Sequence, residues 1–349
     1  MRIGIIRLSA LGDCIVCAAF LAYFLKTLES HGQKIHITWF VDSRFAGILE
    51  HSPYIHSLEL ITLKHQSFRQ LFSLTRHLAK IRAFDLLIDM QGLLKSALIG
   101  AFLKKNKFLG FSFLSAKESL SALFYSHSVR IAYQENILKR NALLILQAQK
   151  LLGIDSALLT SELHKMLSYR QEVFSYSKQA SKQSTKAVDS LRLIFVLEAS
   201  LESKTYHPLL FSELAILLDK RLKNTEIILL THRHKHKAEQ IFKTTKSQLQ
   251  NITLTQITNL NLDVIKALVS SCDLLIGGDT GITHLAWALA RPSITLYGNT
   301  PKKRFELLGE KTISLSANTK ATYKKDDFSI NTITPQTIAS HVFVLLDML

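Results

Sequence analysis

Short, largely apolar runs alternate along this chain with stretches whose apolar residues recur at helical spacing. Residues 3–8, 35–41, 58–63 and 84–90 are of the first kind and predict buried strands. Between them, 14–28, 45–50 and 68–81 predict helices, and 136–152 predicts a long amphipathic helix. The alternation restarts at 191–197. Strands at 226–230, 251–254, 274–277 and 293–297 then alternate with helices at 209–221, 237–244, 262–271 and 282–290, and 335–349 predicts a terminal helix. Strands separated by helices imply an α/β fold whose parallel sheets are covered on both faces. Residues 168–189 are rich in Ser, Lys and Gln, with few large apolar residues after Tyr176. That composition predicts a linker region at 171–190 between domains at 1–170 and 191–334.

The chemistry-bearing residues gather where predicted strands give way to helices. Leu11-Gly12-Asp13 follows the first strand, and Gly277-Gly278-Asp279-Thr280-Gly281-Ile282-Thr283-His284 follows a late one. A Gly-bearing turn into a helix presents backbone N–H groups that suit phosphate. Asp13 has two readings. It is a helix-capping carboxylate, or a general base toward a hydroxyl at the carboxyl end of a strand, where open α/β sheets bind ligands. In the later motif Gly277 and Gly278 permit a tight turn, and Thr280 and Gly281 open a helix toward a pyrophosphate. Asp279 is placed to accept sugar hydroxyls, with His284 one turn on; an Asp-Thr cap is the alternative. The motif matches neither G-x-G-x-x-G nor the P-loop, which argues against a dinucleotide site and an ATPase. Lys204, in Ser200-Leu201-Glu202-Ser203-Lys204, either neutralises a leaving diphosphate or is a solvated loop lysine. Two such motifs far apart imply two halves facing one cleft.

Composition narrows this picture. A length of 349 residues fits two domains at roughly 100–200 residues each. Lys+Arg number 43 against 27 Asp+Glu, a net charge of +16, which favours polyanionic partners. The basic residues are spread out and lack interleaved aromatics, so nucleic acid is not expected. Three cysteines exclude a disulfide framework and point to a reducing compartment. Cys14 and Cys17 read as small apolar residues one turn apart rather than a redox pair. The apolar stretch 14–25 is short for a bilayer span, and no small-residue cleavage site precedes Lys26. Neither a signal peptide nor a transmembrane helix is expected. The alternating His232, His234 and His236 read as a solvated basic loop rather than a metal site.

Taken together, these segments resemble glycosyltransferase family nine, the ADP-heptose lipopolysaccharide heptosyltransferases, over most of the chain. Arg7-Leu8-Ser9-Ala10-Leu11-Gly12-Asp13 resembles the family's opening turn. Asp279-Thr280-Gly281 with His284, followed by Arg291-Pro292-Ser293-Ile294-Thr295-Leu296-Tyr297-Gly298, is similar to its donor-site signature. Asp89-Met90-Gln91-Gly92-Leu93-Leu94-Lys95-Ser96-Ala97, Leu123-Phe124-Tyr125 and Ile131-Ala132 resemble heptosyltransferase I, the subtype that adds the first heptose.

The resemblance implies a GT-B fold: two Rossmann-like domains with parallel sheets facing an interdomain cleft, and the 335–349 helix packing back on the N-terminal domain. It implies inverting transfer from ADP-L-glycero-β-D-manno-heptose to a Kdo hydroxyl of Kdo-lipid A in lipopolysaccharide inner-core biosynthesis. Asp13 is the implied base, and Gly12 lets the sugars approach it. Ser200, Lys204 and the Thr280–Gly281 turn stabilise the diphosphate, so neither metal nor cofactor is expected. Asp279 and His284 hold the heptose or its adjoining phosphate, and Leu260 falls where the family packs the adenine. Two departures stand out. The family's Lys-x-Trp-Pro is Lys204-Thr205-Tyr206-His207-Pro208 here, with one extra residue. The loop after 226–230 lacks the usual Gly and acidic pair, which makes Glu239 the ribose candidate. Kdo-lipid A is anionic, so Lys64, Arg69, Lys95 and Arg130, with Gln91, are the acceptor candidates. The expected enzyme is a cytoplasmic monomer, peripheral at the cytoplasmic face of the inner membrane, where its positive charge suits the anionic surface. The alternatives are heptosyltransferase II or a relative with another acceptor, and more remotely a non-catalytic nucleotide-sugar or nucleic-acid binder. A pure binder has no use for Asp13.

Overall fold

Six parallel strands form the sheet of each half. The computed structural model describes residues 1–63, 68–154, 159–187, 189–317 and 321–347, and the chain divides into two units, Met1–Ser175 and Tyr176–Leu349. In the first unit β1 (Arg2–Ile6), β2 (His36–Asp42), β3 (Ser57–Ile61), β4 (Phe84–Asp89), β5 (Lys105–Phe111) and β6 (His127–Val129) pair in the order β3-β2-β1-β4-β5-β6. In the second, β7 (Leu191–Val196), β8 (Thr225–Thr231), β9 (Ile252–Thr258), β10 (Leu274–Gly278), β11 (Ser293–Tyr297) and β12 (Thr312–Ser316) pair in the order β12-β11-β10-β7-β8-β9. Counted from each unit's own first strand, the two orders are the same. Each reverses between the unit's first and fourth strands, at β1/β4 and at β7/β10. Loops leave in opposite directions there, and the crevice at the strands' carboxyl ends is where such sheets bind ligands.

The central strands are apolar on both faces because helices cover both. Ile3, Ile5 and Ile6 of β1 and Leu274, Leu275 and Ile276 of β10 are fully buried. Each such side chain contributes roughly 1.5–3 kcal/mol over its exposed state. The run Leu11–Ser30 is long and apolar enough to cross a membrane by length and composition, yet 72% of that window is buried inside the structure. Its Ile15, Phe20, Phe24 and Leu28 are core residues of the first unit.

Several expectations change. Strands β5, β6 and β12 lie outside the strand segments that the sequence pattern predicts. β5 opens with Lys105-Asn106-Lys107, β6 has three residues, and β12 is a half-exposed edge strand, so none carries a continuous apolar run. The expected linker at 171–190 is largely structured. Arg170–Val173 is a helical turn with Val173 buried, and Glu172 pairs with Lys26 at 2.8 Å. Lys178–Gln183 is a helix capped by Ser177, whose hydroxyl donates to Asp263 at 2.7 Å. Ala180 of that helix packs against Val264 and Ala267.

The terminal helix, Pro335–Asp347, which the resemblance assigned to the first domain, belongs to the second unit. Its Ile338, Ala339, Val342 and Leu345 complete the second core with Phe211, Leu214 and Leu218 of helix Pro208–Asp219. The chain leading into it is pinned there too: the Tyr206 hydroxyl donates to the Ile333 carbonyl at 2.5 Å.

Candidate functional site

In the second unit the sequence motifs converge at the β7/β10 reversal. Lys204 lies in the turn after β7, and Asp279 follows β10. The Lys204 ammonium meets Asp279 Oδ2 at 2.7 Å, and His284 Nε2 meets Oδ1 at 3.0 Å. Thr300, just beyond β11, donates to Oδ2 at 3.1 Å. Burial alone pushes the Asp279 carboxyl up. The hydrogen bond from His284 and the charges of Lys204 and His284 outweigh it and hold the group well below the usual carboxylate range. His284 Nδ1 is buried and has no hydrogen-bond partner among the described residues. It is a buried polar atom at the site whose hydrogen-bonding capacity the described residues leave unused.

Thr280 precedes helix Gly281–Ala288, whose first N–H groups have no partner within the helix. Thr283 ties the helix back to β10, its hydroxyl donating to the Gly278 carbonyl at 2.7 Å. Gly277 and Gly278 are the last residues of β10 rather than a tight turn. Their role is close approach: a Cβ on Gly278 would stand 1.8 Å from the Lys204 carbonyl oxygen. A bare backbone at 278 is what lets the Lys204 turn lie against the strand.

The insertion after Lys204 is absorbed by packing. Tyr206 is fully buried edge-on to Phe211, and His207 caps helix Pro208–Asp219. Ser200 is exposed on the same segment. Glu198, which the sequence did not single out, accepts the backbone N–H groups of His232, Arg233 and His234 at 2.7–3.1 Å. It thereby fixes the loop after β8, and those hydrogen bonds hold its carboxyl down against burial. Glu239 is exposed on helix Lys235–Thr245, and no hydrogen bond or ion pair joins it to the Asp279 cluster among the described residues. Leu260 is half-buried against the cluster of Ala180, Val264 and Ala267.

In the first unit the matching reversal, β1/β4, carries Asp13. Helix Leu11–Ala18 begins ahead of it, so Asp13 sits inside the first turn beside the buried Gly12. Asp13 Oδ2 takes both protein contacts, from the Arg7 guanidinium at 2.8 Å and the Ala10 N–H at 3.1 Å. Oδ1 has no protein partner among the described residues, and the side chain is 36% exposed. Arg7 is buried and also donates to the Met90 carbonyl at 2.6 Å, which ties the Asp13 turn to the end of β4.

Asp89 anchors the neighbouring turn. Ser96 and Tyr125 donate to its Oδ2 at 2.7 Å, and the N–H groups of Gln91 and Gly92 donate to Oδ1. Burial nevertheless leaves the carboxyl above its ordinary value. Gly92 has φ +66°, a left-handed backbone that suits glycine. The Gln91 side chain bridges the reversal, its Oε1 accepting the Leu8 N–H at 2.8 Å, while its buried Nε2 has no partner among the described residues. Lys95 is exposed on helix Leu94–Phe102 and, after Arg44, helps hold Asp42 down. Arg69 is exposed on helix Phe68–Lys80, and Arg130 is exposed just after β6. Among the described residues, no hydrogen bond or ion pair joins either to the Asp13 or Gln91 turns. Lys64 lies outside the described residues.

Known proteins resemble this chain over most of its length. Residues 71–333 match the family described as glycosyltransferase family 9 (heptosyltransferase). The chain is 33% identical to lipopolysaccharide heptosyltransferase 1 of Campylobacter coli over 97% of each chain. Among solved structures it is similar to E. coli heptosyltransferase WaaC with ADP (TM-score 0.74, 18% identity, 99% of this chain and 100% of that one). It is also similar to a family 9 glycosyl transferase from Veillonella parvula (TM-score 0.78, 16% identity, 100% and 98%).

Proposed function

The chain belongs to glycosyltransferase family 9, and from that premise we propose that it moves heptose from ADP-heptose to a Kdo hydroxyl of Kdo-lipid A. The observation that carries the reading is the Asp279–Lys204–His284 cluster at the start of helix Gly281–Ala288. It combines a cation, helix N–H groups and an unpartnered imidazole nitrogen, the equipment for a diphosphate and the sugar attached to it. Asp13, with Oδ1 open, is the base. It takes the acceptor hydroxyl's proton as that oxygen bonds to the anomeric carbon. The bond from that carbon to the diphosphate oxygen breaks, its electron pair leaves with ADP, and the configuration inverts. Lys204, Ser200 and the helix N–H groups take up the charge on the leaving diphosphate, so the reading calls for no metal. Gln91, Lys95, Arg69 and Arg130 remain the acceptor-side assignment, and Glu239 and Leu260 the nucleoside-side one.

The relatives' names favour the first-heptose subtype. The test is a transfer assay with ADP-heptose and either Kdo-lipid A or heptosyl-Kdo-lipid A, following ADP release and product mass. Transfer to Kdo-lipid A is expected, with Asp13→Asn reducing kcat by about 10²–10⁴-fold while ADP-heptose still binds. Transfer to heptosyl-Kdo-lipid A alone reassigns the subtype. Full turnover by Asp13→Asn removes the base.

A further inference from the structure

We propose that helix Leu94–Phe102 and the segment 112–124 form a surface that docks on an anionic lipid bilayer. Thirteen large apolar side chains are conspicuously exposed among the described residues, and six of them fall here: Leu98, Phe102, Phe113, Leu114, Leu120 and Leu123, at 41–76% exposure. They are brought together by packing. The helical turn Ser119–Phe124 lies against helix Leu94–Phe102. Glu118 joins the two by accepting the Leu94 N–H at 2.7 Å, and its own N–H donates to the Gly92 carbonyl at 3.3 Å. Clustered exposed apolar residues mark an interaction surface, whereas scattered ones do not.

Charge selects the partner. From 94 to 130 the chain carries Lys95, Lys104, Lys105, Lys107, Lys117 and Arg130 against Glu118 alone. Glu118 is engaged with a backbone N–H, while Lys95, Lys104, Lys117 and Arg130 are exposed. Exposed leucines and phenylalanines interspersed along the chain with exposed lysines match the boundary of a bilayer with anionic headgroups, where apolar tips enter and basic groups pair with phosphate. A protein partner of mixed charge would not call for so one-signed a segment.

The place in the fold gives the surface its use. The segment 112–124 starts at the carboxyl end of β5, the sheet edge that carries Asp13 and the Gln91 turn. Docking here would bring that edge to the lipid surface. This use rests on the glycosyl-transfer reading; the docking itself does not.

The test is co-sedimentation of the full-length protein with vesicles of phosphatidylglycerol and phosphatidylethanolamine, against vesicles of phosphatidylcholine alone. Two variants accompany it, Leu114→Asp/Leu123→Asp and Lys104→Glu/Lys117→Glu, with thermal unfolding as the check on folding. Wild type is expected to pellet with the anionic vesicles, less so at high salt, and each variant to lose about tenfold in partitioning. Both variants are expected to keep their turnover on a de-acylated acceptor. Folded variants that pellet like wild type overturn the proposal, as does equal pelleting with phosphatidylcholine. So does a soluble dimer that Leu114→Asp/Leu123→Asp splits, which assigns the patch to a second copy. Vesicle binding without any sugar transfer overturns the reaction and leaves the docking surface standing.

Discussion

Lys204 and Asp279 depend on each other for different things. Asp279 is 6% exposed, and part of what keeps it ionised is the ammonium 2.7 Å away. Lys204 is held by that carboxylate at the mouth of a helix whose N–H groups attract anions. On the proposed reading, a diphosphate arriving there would meet a cation already in position, so little ordering would remain to be done in the reaction. Lys204→Ala is expected to lower kcat/KM for the donor by about 10²–10³-fold, with the acceptor KM nearly unchanged. It is also expected to cost about 1–3 kcal/mol of second-unit stability, less than a fully buried pair would, because Lys204 is a fifth exposed. Steady-state kinetics in each substrate, with urea unfolding, checks both; an effect confined to acceptor KM contradicts the assignment. At this scale the sequence showed which residue types stood after which strands. Asp279, Lys204 and His284 could be singled out because each lies in a polar motif closing or opening a periodic segment. Thr300, Glu198 and the contact of Arg7 with Met90 could not, because their partners come from other strands and only the sheet order makes them neighbours.

Between elements, the most demanding contact is the Lys204 turn against the end of β10. Gly278 adopts ordinary strand geometry there, so its lack of a side chain serves space and not backbone conformation. The atom in the way of a Cβ is a backbone oxygen, which cannot rotate aside as a side chain would. Gly278→Ala is therefore expected to displace the Lys204 turn and destabilise the second unit by about 1–3 kcal/mol or more. It should also lose donor binding together with stability, as read by ADP titration and thermal unfolding. A variant that binds ADP as wild type does would show that the turn gives way at no cost. The element pattern itself was legible wherever a strand is central. β1, β4, β7 and β10 announce themselves because helices on both faces require both faces to be apolar. Edge strands β6 and β12 have a face or a side toward water and lack that requirement, so their apolar runs are too short or too interrupted to read. The stretch around 178–183 misled for the opposite reason: a polar helix needs only Ala180 and a Ser177 cap to dock.

For the molecule as a whole, two sheets of identical strand order place each acidic motif at its unit's reversal, Asp13 after the first strand and Asp279 after the fourth. That both motifs lie at strand-to-helix turns followed from the alternation of strands and helices. The destination of the terminal helix did not, since an amphipathic helix carries no record of which sheet it covers. Its apolar face is used in the second core, where Ile338, Val342 and Leu345 are at most 1% exposed. Losing three such side chains, at roughly 2–5 kcal/mol each, is comparable to the whole stability of a domain, about 5–15 kcal/mol. Truncation before Pro335 is therefore expected to unfold the second unit and spare the first. The chain supplies its own reporters: it has two tryptophans, Trp39 buried in the first unit and Trp287 in the second. In the truncated chain, the Trp39→Phe background should show Trp287 emission shifted to the red, as for a solvated indole. The Trp287→Phe background should keep the blue emission and the cooperative urea transition of Trp39. Had the helix served the first unit, the two backgrounds would exchange behaviour, so the same pair of spectra decides which core it completes.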